Sequence, residues 1–351
     1  MTSMCTNISS RAPGTEVHPR IVLIRPGALG DALLTLPALA VLRRERPEVR
    51  VTLITRRDVL PLVKASALAD DTHAYDLPAW SALFTDGPIS VDPLAHLTFE
   101  GATVVAWMPD PTGAIATNLR ALGAVQVQMA SPRPLPDERE HMALRLAEAL
   151  RPLGVTIPPT REALVELLPE IQIAESDSRD VRSLWEVLVP WDTVQSVVAL
   201  HPGSGGAAKR WPPDAFAALA QEVSTMGMQP LLIEGPQDST VCHEVLTAAK
   251  TMLPVARGLS VASLATILRR CVAYVGNDSG VSHLAGLLGV PALALFGPTD
   301  PALWAPLGPH VRVLRVPEHC LANLSPELVT SSLRELLHQS ELARRNVEDA
   351  E

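Results

Sequence analysis

Short apolar runs alternate along the chain with longer segments whose apolar positions recur every three or four residues, a rhythm that predicts strands followed by helices. In the C-terminal half the runs are Val197 to Leu200, Pro230 to Glu234, Leu253 to Ala256, Ala273 to Gly276 and Ala292 to Phe296. Helices are expected between them, at 213–226, 239–250, 260–270 and 280–288. Strands with so few polar positions are those of a parallel sheet covered on both faces. Pro213 suits the first turn of its helix, and Gly227 suits the position just past that helix's end.

The N-terminal half begins in the same way. "RIVLIR" predicts a strand, "PGALGD" a turn, Ala32 to Arg46 a helix with an early kink at Pro37, and "VRVTLIT" a second strand. Further on, a strand is expected over 102–108, then a loop "PDPTG" and helices at 113–122 and 138–152. Prolines gather at 132–136 and 158–159, and the charged stretch Glu170 to Asp180 places a domain boundary between 170 and 195. The expected organisation is a disordered leader over 1–19 and two doubly wound α/β domains over 20–180 and 181–324. A terminal helix over 325–351 is expected to pack back toward the first domain.

Composition narrows the function. A chain of 351 residues can bury two cores of ordinary size. A net charge of −9 and only 3% aromatic residues argue against nucleic acid as partner, because phosphate backbones are held by Lys and Arg and single strands by stacking. The cysteines at 5, 242, 271 and 320 have neither zinc-ligand spacing nor a disulfide framework, so a reducing cytoplasm is the expected setting. Ile21 to Leu42 is interrupted by Arg25 and Asp31, and Ser279 to Thr299 by several glycines and Pro291. Neither reads as a membrane span, so membrane contact is expected to be peripheral at most.

Three clusters lie at the carboxyl ends of predicted strands, where open α/β sheets bind ligands. "HPGSGGAAKRW" follows "VVAL" and offers glycines at 203, 205 and 206, the Ser204 hydroxyl and the Lys209 charge, an outline of a phosphate site without the P-loop pattern. A glycine-rich surface turn with a solvated lysine is the plainer reading. "NDSGVSH" follows "AYVG" and brings Asp278, Ser279, Gly280 and His283 to a helix start, although Asp278 could be no more than a cap. Two such turns on one sheet edge suit a pyrophosphate, whereas two metal-ligand types at this spacing fall short of a metal site. "RPGALGD" lacks the GxGxxG fingerprint and no acidic residue ends the following strand, which disfavours a nicotinamide enzyme. Asp31 there is either a helix-start carboxylate or a general base facing the other domain. Arg56 and Arg57, with Gly30, are candidates for the acceptor side, while Arg43, Arg44 and Arg46 read as an exposed helix end.

Together "GALGDALLTLPALAVLRRERP", "LHPGSGGAAKRWPPDAFAALA" and "NDSGVSHLAGLLGVPALALFGPTDP" resemble glycosyltransferase family 9, the heptosyltransferase-like enzymes, in order and over most of the chain. The resemblance implies the GT-B fold, two Rossmann-like domains facing a cleft, and an inverting, metal-independent transfer needing no cofactor. The donor is a nucleoside diphosphate sugar, ADP-heptose among the candidates, and the acceptor a cell-envelope glycan or glycolipid. By the same resemblance Asp31 and Lys209 are catalytic, and Ser204, Gly205, Lys209, Asp278, Ser279, Gly280 and His283 bind the donor. Gly235 to Asp238 is expected near the nucleoside. The chain departs from the family in carrying "AWMPDPTG" where an acidic, glycine-containing turn is usual. The competing class is a noncatalytic nucleotide- or glycan-binding protein on the same fold.

Overall fold

The computed structural model describes residues 19–85, 92–135, 137–173, 179–189, 196–316 and 319–348. The expected leader falls, but for Pro19, outside them, as do parts of the expected boundary segment.

The first sheet contains β1 (Arg20–Arg25), β2 (Arg50–Thr55), β3 (Asp71–Ala74), β4 (Thr103–Trp107) and β5 (Gln126–Ala130), all parallel, in the order β3-β2-β1-β4-β5. Its helices are α1 (Leu29–Leu33), α2 (Leu36–Glu45), α3 (Leu60–Ser66), α4 (Pro93–Phe99), α5 (Ala114–Ala121), α6 (Met142–Glu148) and α7 (Arg161–Val165), and α8 (Arg179–Leu188) leads to the second domain. The second sheet contains β6 (Val197–His201), β7 (Gln229–Glu234), β8 (Val255–Arg257), β9 (Ala273–Asn277), β10 (Ala292–Phe296) and β11 (Val311–Arg315), again all parallel, in the order β11-β10-β9-β6-β7-β8. With it come α9 (Pro213–Thr225), α10 (Ser239–Ala248), α11 (Val261–Arg269), α12 (Gly280–Leu287), α13 (Pro301–Trp304) and α14 (Pro326–Glu348). Both orders reverse direction beside the first strand of their domain, between β1 and β4 and between β6 and β9. Each reversal opens a crevice at the carboxyl ends of those strands.

Period-two alternation divides the core. Ile21 and Leu23 of β1 join an apolar cluster that continues into the second domain through Leu264 and Leu284, while Val22 and Ile24 face Trp80 and Phe99 on the other side of the sheet. In the second domain Val198 and Leu200 pack with Trp211 and Phe216, and the same cluster takes in Val329, Leu333 and Leu336 of α14. The Trp211 indole N–H donates to the Leu324 carbonyl at 2.8 Å. The described face of α14 therefore packs on the second domain, against α9, β9 and β10. The reason is its apolar stripe, whose complement is the outer face of the second sheet.

The helix expected over Ala32 to Arg46 is broken into α1 and α2, and Pro37 sits in the first turn of α2, where its missing N–H costs no hydrogen bond. The domains meet where the starts of α1 and α12 touch. A Cβ on Gly280 would lie 2.7 Å from the Leu29 Cβ, and one on Gly30 would lie 3.0 Å from the His283 ring, so these two glycines permit the approach. A second bridge is His141, which starts α6. Its Nδ1 accepts the Ala143 N–H at 3.2 Å, leaving Nε2–H to donate to the Ala305 carbonyl of the second domain at 2.9 Å. Burial pushes the His141 imidazole down to about 4, which keeps it neutral in that role.

Candidate active site

A cavity of about 1030 Å³ lies between the two carboxyl sheet edges. From the first domain, Asp31 reaches it from the first turn of α1. One carboxylate oxygen, Oδ1, accepts from Arg25 at 2.9 Å, and the other, Oδ2, accepts the Ala28 N–H at 2.9 Å. Arg25 ends β1 and is itself 2% exposed, with further donations to the Trp107 and Pro132 carbonyls at 3.4 and 3.3 Å. Burial lowers the affinity of that guanidinium for its proton and Asp31 opposes the effect. Asp31 is thus fixed on one edge, while its side chain stays 31% exposed toward the cavity. Each carboxylate oxygen has two lone-pair directions, so positions remain for a substrate hydroxyl.

The second domain faces Asp31 with Lys209, Asp278 and Thr299. Lys209 Nζ donates to Asp278 Oδ2 at 2.8 Å, and the Thr299 hydroxyl donates to the same oxygen at 2.6 Å. The Asp278 backbone is anchored too, its N–H donating to the Leu295 carbonyl at 3.0 Å and its carbonyl accepting the Ser204 hydroxyl at 2.8 Å. Beside it Asn277 accepts the Trp211 backbone N–H at 3.0 Å and donates to the Pro202 carbonyl at 2.8 Å, tying the two turns together.

Beneath these turns runs a buried polar chain. Asp238 Oδ2 is 3.2 Å from His201 Nε2 and accepts the Gly235 N–H at 3.1 Å, and His201 Nδ1 lies 3.4 Å from the Ser279 hydroxyl. Burial opposes the Asp238 charge, but the hydrogen bond and charge of His201 hold its carboxyl below the usual range. A Cβ on Gly203 would meet the Asp238 carboxyl at 2.2 Å, and one on Gly235 at 2.5 Å. Those two glycines make room for Asp238, whereas a Cβ on Gly205 would meet no protein atom within 4 Å.

The structure therefore brings Asp31, Lys209 and Asp278 to one cavity, with Ser204 and Ser279 hydrogen-bonded beside them. His283 is 5% exposed and lies under Gly30, within electrostatic reach of Asp278, Asp31 and Lys209; burial pushes its imidazole down. Gly30 and Gly280 serve the domain contact. Arg56 and Arg57 do not line the cavity. Arg56 pairs with Asp58 through contacts of 2.5 and 2.6 Å, and Arg57 with Asp76 at 3.0 and 3.3 Å, so nearby carboxylates take up both cations. Sequence reasoning missed Arg25, Arg133, Thr299 and Trp304, which line the cavity. Thr299 had a usable signal, since it follows the apolar run Ala292 to Phe296 at the same sheet edge. In the divergent segment, both Asp110 carboxylate oxygens cap α5, from the Ile115 and Ala116 N–H groups at 3.1 and 3.0 Å.

Among the described residues no three His, Cys, Asp or Glu side chains gather as a metal site, and no helix is long and apolar enough to cross a membrane.

Comparison with known proteins agrees with this architecture. Lipopolysaccharide heptosyltransferase 2 of Escherichia coli K12 is 27% identical over 196 residues, 50% of this chain and 55% of that protein. Lipopolysaccharide heptosyltransferase 1 of the same strain is 22% identical over 326 residues, 90% of this chain and 100% of that protein. Several of the curated relatives are thus matched over only about half their length. Among solved structures, a family 9 glycosyl transferase from Veillonella parvula superposes with a TM-score of 0.75 at 22% identity, covering 93% of this chain and all of that one. The E. coli ADP-heptose lps heptosyltransferase II gives 0.71 at 21%, covering 92% and 99%. The fold is GT-B. The model of glycosyltransferase family 9 (heptosyltransferase) matches residues 133–332, more than half of the chain, and the protein belongs to that family.

Proposed function

We propose that the protein is an inverting glycosyltransferase that moves a heptose from a nucleoside diphosphate donor to a cell-envelope glycolipid. The observation that carries this reading is the placement of Asp31 and Lys209 on opposite walls of one cavity, a carboxylate on the first domain and a cation on the second. The donor's diphosphate lies against Lys209, Ser204, Gly205 and Ser279, with Asp278 beside it. Gly280 and His283 support that surface from the domain seam. The acceptor enters from the first domain. Asp31 takes the proton of its hydroxyl as that oxygen attacks the anomeric carbon, and the bond to the diphosphate breaks on the opposite side, which inverts the centre. Lys209 and the amides at the start of α12 stabilise the negative charge that gathers on the departing diphosphate. Arg25 fixes the carboxylate edge that does not react, so no reorientation is needed in the transition state.

ADP-heptose is the first donor to test, since E. coli heptosyltransferase WaaC is a solved relative bound to ADP, with a TM-score of 0.65 at 18% identity. With ADP-heptose and a lipopolysaccharide-core acceptor, the Asp31→Asn variant should lose about 10²-fold or more in turnover, the range of a lost general base. The stabilisation that ADP gives against heat should stay unchanged. Equal turnover in the variant would remove Asp31 from the chemistry, and stabilisation by ADP without any turnover by the wild type would favour a binding protein.

A further inference from the structure

Lys209 and Thr299 meet on a single buried oxygen. Asp278 Oδ2 takes both donors, at 2.8 and 2.6 Å, on a side chain only 8% exposed. The Asp278 backbone is held on both sides as well, by the Leu295 carbonyl and the Ser204 hydroxyl. Of the two donors, Lys209 is the mobile one, on a long stem with 34% of its side chain exposed. Thr299 is braced. It stands two residues after Gly297, where a Cβ would lie 3.2 Å from Leu321, and precedes Asp300, which caps α13 at 3.1 Å and pairs with Arg315 at 3.2 Å.

The proposed donor site asks Lys209 to bind phosphate oxygens, yet in the free protein this lysine is engaged by Asp278. Drawing it away would leave a buried carboxylate without its cation, and an unpaired buried charge is costly. We propose that Thr299 is a positioning residue for donor binding: its hydroxyl keeps Asp278 hydrogen-bonded when Lys209 turns from that carboxylate to the diphosphate. The inference rests on the reading of Lys209 as the phosphate cation. In that role Thr299 acts through Asp278.

The experiment is a double-mutant cycle on the full-length protein, with affinity for ADP read by titration calorimetry and GDP, UDP and CDP run beside it. Thr299→Val, nearly isosteric, should weaken nucleoside diphosphate binding about tenfold, the scale of one hydrogen bond to a buried charge, and Thr299→Ser should restore it. In an Asp278→Asn background Lys209 has no carboxylate to leave, so adding Thr299→Val should change affinity by less than about twofold. Equal weakening in both backgrounds would reduce Thr299 to a structural support and overturn the inference. So would wild-type affinity in Thr299→Val when Lys209→Ala has lost binding, and that result would leave the donor site intact. Failure of the wild type to bind any of the four nucleotides would overturn the donor-site reading together with the inference.

Discussion

At the scale of single residues, the site is made of charges that are already partnered before any substrate arrives. Arg25 holds Asp31, and Asp278 holds Lys209, so the cavity between them contains two ion pairs facing each other across the domains. Pairing fixes direction, and direction is what a proton transfer and a leaving group require. The same scale governs the response to acid. His141 and His283 are both driven toward the neutral form by burial, His141 to about 4, whereas an unfolded histidine titrates near 6.5. Between about pH 4 and 6.5 the unfolded chain holds more protons at His141 than the folded one does. The His141 contribution is therefore full above about pH 6.5 and is lost as the pH drops toward 4, by up to roughly 1.4 kcal/mol per pH unit, and the lowered His283 acts in the same direction. Urea midpoints measured at pH 7 and pH 5 should show this loss, and His141→Gln should reduce it. An unchanged pH slope in that variant would mean that His141 is protonated in the folded state.

At the scale of elements, most strands legible in the sequence are buried on both faces; among the edge strands only β8 was read, as Leu253 to Ala256 where the strand is Val255–Arg257. Val197 to Leu200 and Ala292 to Phe296 stand as read or within a residue, because a central parallel strand leaves an unbroken apolar run. The strands that escaped notice, β3, β5 and β11, are all at sheet edges. "DTHA", "QVQMA" and "VRVLR" carry polar side chains because one edge has no neighbouring strand to cover it. The same limit applies to the site. Glycines and acids at strand ends could be found by position, but Arg25 belongs to a site only because Asp31 returns over it, six residues later, through a turn whose path the sequence does not reveal. Gly203 illustrates the converse, a glycine in a phosphate-like turn whose missing side chain makes room for Asp238. For α14, the packing argument gives a measurable consequence. Leu333 is fully buried against the second domain, so Leu333→Ala should cost about 2–5 kcal/mol in denaturant unfolding. A loss of under about 0.5 kcal/mol, typical of a surface site, would mean that α14 is not part of that core.

At the scale of the whole molecule, two domains of the same winding are joined by one apolar cluster and by a contact between helix starts. A methyl group at 280 would meet Leu29 at 2.7 Å, so Gly280→Ala should act as a wedge at the seam. Overpacking of this kind costs about 1–3 kcal/mol, and under the proposed function transfer should slow more than ADP affinity falls, since the proposed donor surface belongs to one domain and the proposed reaction needs both. A transfer rate equal to that of the wild type would show that the seam has slack. The position of that contact has a mechanical consequence. When two bodies rock about a point, atoms near it travel least and those at the far rim travel most. Asp31 lies one residue from Gly30, and Asp278 two residues from Gly280, so the two carboxylates that line the cavity sit beside that contact. Were the domains to rock about this contact, the rim of the cavity would open and close while the spacing between Asp31 and Asp278 stayed almost constant, as in a pair of pliers whose jaws grip close to the rivet.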